Sequence, residues 1–289
     1  MIRVLQPGDE ALLEAFLLPR IESSMFLIGN MRTAGLLDNG DSYQGTYAAA
    51  FEQDHIVGVA ALFWNGSLIL QAPLELLDSL CKTAVSAAQR PISAVIGPQQ
   101  QVQTVLDMLN ITAADTKINE PENLYRLRLG DLLVPSQLQS GQWRGRLASS
   151  ADVELMTRWR VGYAIEALGE TDSPELWQRI GSNLQKSLEM GTIWILEDQG
   201  QPVSSTGFNT STAELVQVGG VWTPPKLRSR GYGRAAVAAS LLAVRSEGVH
   251  TAILITGEDN IPAQKAYEAL GFQYIGDYRL TLLKEPHSN

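Results

Sequence analysis

One segment restricts the fold more than any other. LVQVGGVWTPPKLRSRGYGRAAVAASLLAVRSEG, starting at Leu215, reads as an apolar strand that runs through Arg228-x-x-Gly231-x-Gly233 into a helix. A helix start leaves backbone N–H groups unpaired and carries the positive end of the dipole, so it holds an anion when no bulky side chain stands in front. Gly231 and Gly233 remove those side chains. Lys226, Arg228, Arg230 and Arg234 gather positive charge at the same turn, in a chain whose net charge is -9. The expected ligand carries a pyrophosphate. A glycine-rich helix start also occurs in plain tight turns, so its context has to decide.

Two competing readings fail on that context. A P-loop needs Gly-Lys-Ser/Thr to close it, and the chain has no such triplet. Gly231-x-Gly233-x-x-Ala236 matches a dinucleotide fingerprint, with Glu258 or Asp259 near the expected distance of about 20 residues. In a Rossmann unit, however, the first glycine directly follows the strand and further strand-helix units come after it. Here TPPKLRSR intervenes and little chain remains.

After the helix, 252–256 (AILIT) predicts a strand, and IPAQKAYEALGF places Asn260, Ala263, Tyr267 and Leu270 at helical spacing before a Gly271 stop. Arg228-x-x-Gly-x-Gly followed by Asn260-x-x-Ala263-x-x-x-Tyr267-x-x-Leu270-Gly271-Phe272 closely resembles the GCN5-related N-acetyltransferases over residues 144–284. The resemblance implies an α+β fold with a mixed, mostly antiparallel sheet flanked by helices. The remaining pattern agrees: a strand at 144–148, a helix at 152–168 capped by Ser150 or Asp152, a helix at 174–189 with Pro174 at its first position, then strands at 192–197, 202–209 and 214–222. The run 272–283 supplies the last strands, with a polar tail from Lys284.

The resemblance also implies a chemistry. In this family two parallel strands splay apart and the pantetheine arm of acetyl-CoA lies between them, pairing with backbone of the first strand; by position that backbone is Val221, Trp222 and Thr223. The phosphates would meet Arg228, Ser229, Arg230, Gly231, Tyr232, Gly233 and Arg234, and Asn260 and Ala263 would contact the cofactor. Tyr267 matches the tyrosine that protonates the departing thiolate, a task suited to a group that stays protonated at neutral pH. Read without the motif, Tyr267 only packs and Asn260 only caps a helix. Gly219-Gly220 would permit a bulge beside the thioester.

The general base is a departure. Histone-modifying relatives carry a glutamate eleven residues before the phosphate motif, where this chain has Gln217. Glu258 is taken as the candidate catalytic base and Glu166 as an alternative; each also reads as a solvated surface charge. Should neither serve, positioning of an already neutral amine carries the rate. His55, His250, His287 and the lone Cys81 show no ligand spacing, so no metal is expected.

The first half repeats the order of strands and helices: strand 2–5, helices 9–22 and 26–36, strands 46–51, 56–64 and 68–71, helix 74–88, strand 92–96, helix 101–110 and an extended run 123–129. LLVPSQLQSGQW, rich in Ser, Gln and Pro, reads as a linker. Two tandem domains of the same fold follow, 1–134 and 142–289. Where the first copy should carry the phosphate loop it has Ala72-Pro73-Leu74-Glu75-Leu76-Leu77-Asp78, two acids without glycine or arginine. Residues 1–140 hold eight Lys/Arg against fifteen Asp/Glu, a poor host for an anion. That copy is therefore expected to have lost the site, as in tandem relatives of the mycothiol synthase type, and to serve as substrate-pocket wall or scaffold. FLIGNMR, 26–32, suits an interface helix or core packing.

At 45% hydrophobic and 18% charged, with no long apolar run or basic apolar leader, the chain is expected to be globular and cytoplasmic, without membrane or nucleic-acid partners. The expectation is an acetyl-CoA-dependent N-acetyltransferase acting on a small-molecule amine or peptide amine, with a monomer preferred over a homodimer. A non-catalytic acyl-CoA-binding or sensing protein, or a purely structural relic, are the alternatives.

Overall fold

β-branched and small apolar residues set between turn residues build the strands, and the turns are decided by backbone chirality. Gln53-Asp54 and Gln199-Gly200 all adopt positive φ, the two-residue turn whose twist suits a hairpin. The computed structural model describes residues 1–288 and separates the chain into two compact units.

The first unit comprises Met1–Leu124, Thr256–Asp259 and Ile275–Asn289. Its elements are β1 (Ile2–Val4), α1 (Glu10–Leu17), α2 (Ile21–Ala34), β2 (Gly45–Glu52), β3 (His55–Phe63), β4 (Ser67–Gln71), α3 (Leu77–Ala88), β5 (Ile92–Pro98), α4 (Gln99–Met108) and most of β6 (Thr116–Arg128). β1 to β4 are antiparallel, and β4 runs parallel to β5. The expected helix 9–22 breaks at Pro19, where a short 3-10 turn separates α1 from α2, because proline supplies no N–H to the helix. The extended run expected at 123–129 begins much earlier, at Thr116. Leu27, Ile28 and Met31 are buried within this unit, so core packing accounts for much of the FLIGNMR segment.

The second unit comprises Tyr125–Ile255 and Asn260–Tyr274. It contains α5 (Ser136–Gln139), β7 (Trp143–Leu147), α6 (Val153–Leu168), α7 (Pro174–Glu189), β8 (Ile193–Asp198), β9 (Gln201–Ser211), β10 (Leu215–Trp222), α8 (Tyr232–Ser246), β11 (Thr251–Gly257), α9 (Ile261–Glu268) and the start of β12 (Gln273–His287). β7, β8, β9 and β10 are successive antiparallel neighbours, and β10 is parallel to β11. α8 packs Val237, Ala238, Leu241 and Val244 against Val216, Val218, Ala252 and Leu254. On the other face Met156 and Trp159 of α6 and Leu184 of α7 meet Ile193, Ile195 and Trp222.

The units interleave along the sequence, whereas the linker suggested a division into 1–134 and 142–289. The final run is one strand that continues to His287 in place of a polar tail, and its residues from Ile275 onward belong to the first unit, antiparallel to β5 from Tyr278 opposite Pro98. Hydrogen-bonding a strand edge outweighs chain order here. Asp152, one of the two expected caps, holds the cap position of α6, while the capping box in which the Ser149 hydroxyl and amide meet Asp152 leads into the short 3-10 turn ahead of it, in place of Ser150.

Candidate functional site

The site is opened by the parting of two parallel strands. β10 and β11 pair from Leu215/Thr251 to Val218/Leu254, yet β10 continues four residues further, to Trp222. Over that stretch β10 stays on β9 through a bulge, with Gly219 opposite Gly207 and Trp222 opposite Ser205. Gly220 takes the left-handed conformation (φ 56), and a methyl group there would overlap the Arg160 guanidinium. Any side chain would therefore close the bulge.

At the far end of the gap, Pro225–Leu227 forms a 3-10 turn and Gly231 (φ 82) starts the fifteen-residue α8 with no side-chain cap. The first carbonyl to accept within that helix is Gly231, from Ala235 N–H at 3.1 Å. The amides of Tyr232, Gly233 and Arg234 precede that bond, in the positions a helix leaves for an anion. The Arg234 Nε is buried without a hydrogen-bond partner, an orphan donor beside the same turn. Arg228 lies over the Trp222 ring at 4.9 Å, donates from Nε to the Thr223 carbonyl at 3.0 Å, and is ion-paired to Glu166 at 2.7 Å.

These elements line a cleft of about 900 Å³ that includes Tyr163, Val221, Trp222, Thr223, the turn from Arg228 to Arg234, Asn260, Ala263 and Tyr267, a size suited to a cofactor-sized ligand. Every cofactor-binding residue expected from the sequence borders it. Their side chains do different things. Asn260 caps α9 by accepting from Ala263 N–H at 3.3 Å. The Tyr232 hydroxyl donates to Asp198 at 2.6 Å, which leaves its backbone amide as the group aimed at a ligand. Ser204 Oγ bonds the Trp222 carbonyl and the Thr223 hydroxyl, both at 2.9 Å, so part of the expected pantetheine-pairing backbone is already engaged.

Tyr267 packs its ring against Phe272, and its hydroxyl carries no hydrogen bond among the described residues. Burial pushes its phenol above the ordinary tyrosine range, and Tyr163 adds to the effect. A phenol so held is a proton donor, never a base, at neutral pH. Glu258, the candidate base, falls in the segment Thr256–Asp259 of the first unit and does not line the cleft. Gln217 is buried in β10 with its carbonyl oxygen unbonded. Glu166, the alternative base, neutralises Arg228. Tyr163 and Arg160 were not expected from the sequence; the three-residue steps from Arg160 to Tyr163 to Glu166 along one helix were the available signal.

Among the described residues no group of three or more His, Cys, Asp or Glu side chains could hold a metal ion. No helix among them is long and apolar enough to cross a membrane. Burial pushes the Cys81 thiol up to about 12, far from the thiolate that reactivity requires.

Residues 156–272 match the acetyltransferase (GNAT) family model. That stretch of the chain is a GNAT domain. No curated protein matches the sequence. Among solved structures, a Drosophila protein aligns over 98% of this chain and 98% of its own at 14% identity and a TM-score of 0.70. A tandem GNAT protein from the clavulanic acid biosynthesis pathway aligns over 100% and 99% at 11% identity and 0.58. A GCN5-related N-acetyltransferase from Sphaerobacter thermophilus aligns over 100% and 97% at 14% identity and 0.57. At such identities the likeness is one of fold, and it extends across both units. The match supports an acyltransferase, and the GNAT family generally uses acetyl-CoA.

Proposed function

We propose that the chain transfers an acetyl group from acetyl-CoA to the amine of a small molecule or peptide by direct attack, acting as a monomer. The observation that carries this is the parted strand pair: one end meets an uncapped glycine helix start with arginines, and a hydrogen-bond-free, protonated tyrosine stands along its length. Acetyl-CoA would supply an acetyl thioester and a thiolate leaving group. The amides of Tyr232, Gly233 and Arg234, with the orphan Arg234 Nε, suit its pyrophosphate. Backbone of Val221 and Thr223 borders the arm between phosphate and thioester. Tyr267 donates its proton to the sulfur as the carbon–sulfur bond breaks, and the acylated nitrogen gives up a proton to water, from which the phenol is restored. With Gln217 where relatives carry a base, the amine enters neutral and the gap supplies orientation.

The first unit, on this reading, holds no cofactor, because Glu75 and Asp78 occupy its equivalent turn. The test is thermal unfolding with and without acetyl-CoA, followed by assay of CoA release over an amine panel. Stabilisation with release supports the transferase. Stabilisation without release over the whole panel supports a sensing protein, and no stabilisation overturns both.

A further inference from the structure

We infer that the acetyl acceptor carries an anionic group, a carboxylate or phosphate, which Arg160 recognises at the bulge; this rests on the transferase reading above. Arg160 lies on α6, one turn before Tyr163. Its guanidinium covers the bulge: a methyl group built on Gly207 would press on Nη2, and one on Gly220 would overlap Nη1. Counting back along β10 from the arginine turn, the bulge is the opposite end of the gap. With the pyrophosphate at α8, the acyl group finishes there, and the amine has to approach it there.

The charge on Arg160 has no counterpart. Arg146 is paired with Asp152 and Glu197, Arg179 with Glu170, and Arg228 with Glu166. Arg160 makes no ion pair or hydrogen bond with any described residue, and Tyr163 is the one titratable neighbour that favours its charge. Burial holds it below the ordinary arginine range. Nearby side chains are neutral: Asn209 lies over Gly219, and Tyr163 is one helix turn away. A half-buried guanidinium without a protein partner keeps its donors for the oxygens of a ligand. Its planar fork matches the oxygens of carboxylate and phosphate.

The same charge disfavours a polycation. It also disfavours the ammonium form of any acceptor amine, which fits a site that has Gln217 in place of a base. An acceptor with an anion set away from its amine satisfies both conditions: the anion meets Arg160 and the neutral nitrogen faces the thioester.

The experiment measures CoA release by wild type, Arg160→Gln and Arg160→Lys with matched amines: amino acids against their primary amides, phosphoethanolamine against ethanolamine, and spermidine. Expected is a wild-type preference of at least about tenfold in kcat/KM for an anionic member. Arg160→Gln should remove that preference mainly through KM while keeping the acetyl-CoA melting shift, and Arg160→Lys should restore part of it. The amino acid and phosphate arms separate the two anions. Spermidine or uncharged amines used as well as every anionic amine would overturn the inference. So would an Arg160→Gln protein with the wild-type preference, or no turnover of any anionic amine by a protein that binds acetyl-CoA. A melting temperature indifferent to acetyl-CoA would overturn the transferase reading instead.

Discussion

At the junction where a parallel strand gives way to a helix, the two units use the same elements in opposite ways. In the second, β10 outruns its pairing with β11 by four residues, bulges at Gly219-Gly220, and passes through an arginine turn to an uncapped glycine start. In the first, β4 pairs with β5 through Ile69/Ile96 and ends two residues later. Gly97 of β5 comes so close that a Cβ there would lie 3.0 Å from the Leu70 carbonyl oxygen. The Ala72 N–H just past β4 is occupied by the Gln101 side chain of α4 at 2.9 Å. The second junction leaves the Arg234 Nε without a protein partner, whereas the first fills the Ala72 N–H from within. On the proposed reading, the site is an interruption of strand pairing, and restoring the pairing would abolish it.

The contrast can be broken most severely at the tyrosine. Tyr267→Phe should lower kcat by about 10²-fold or more while leaving the acetyl-CoA melting shift unchanged; undiminished turnover would remove the acid role. Arg228→Glu should next erase ligand stabilisation worth about 2.7 kcal/mol at 100 times Kd, whereas Glu75→Gln in the first unit should leave it intact. Equal losses from both variants would mean that both junctions bind.

A third prediction concerns what the units share. Arg3 grips Asp9 at 2.6 and 2.9 Å, and Arg146 grips Asp152 at 2.7 and 2.8 Å. Each is a two-pronged latch across six residues between a strand and the helix that follows it. Hydrogen bonds from the arginine pull both carboxyls down to about 2. Their folded values lie below the unfolded ones, so each stabilisation is complete above about pH 4 and disappears as pH falls towards 2. Asp152→Asn should cost about 2 kcal/mol at pH 7 and progressively less in acid, as followed by urea unfolding at several pH values. A constant cost would mean the latch contributes through packing alone.

Smaller effects refine the picture. Gln101→Ala should destabilise by about 1 kcal/mol, by stranding the Ala72 N–H, with no change in ligand response. Glu166→Gln should free Arg228 and raise acetyl-CoA affinity by a few-fold, corresponding to about 0.5 to 1 kcal/mol for an exposed pair. Isothermal titration would resolve it, and unchanged or weaker binding would show that the pair positions Arg228.

Much of the second unit was legible because its signals are local. The helix 174–189 falls on its expected bounds, with Ser173 accepting from Leu176 N–H and Pro174 at the first position. The arginine turn, Asn260 and Tyr267 all border one cleft because each is tied to a strand end or helix start that a short motif announces. The repeat was visible only as an order of elements. The Arg-x5-Asp latch common to both halves states it more directly, at residues 3 to 9 and 146 to 152, but two charges six apart carry no meaning until a strand and a helix fold them together.

By itself, the sequence determined most elements of the second unit, the glycine and arginine turn and the chemical character of Tyr267, since these follow from backbone permissiveness, local capping and side-chain pKa. Tertiary structure decided which strand closes which unit, where β10 leaves β11, that Glu166 holds Arg228, and that Arg160 stands unpaired over Gly220. Those depend on hydrogen-bonding edges and charges far apart in the chain, whose partners are chosen by the free energy of the assembled unit and not by any neighbour in sequence.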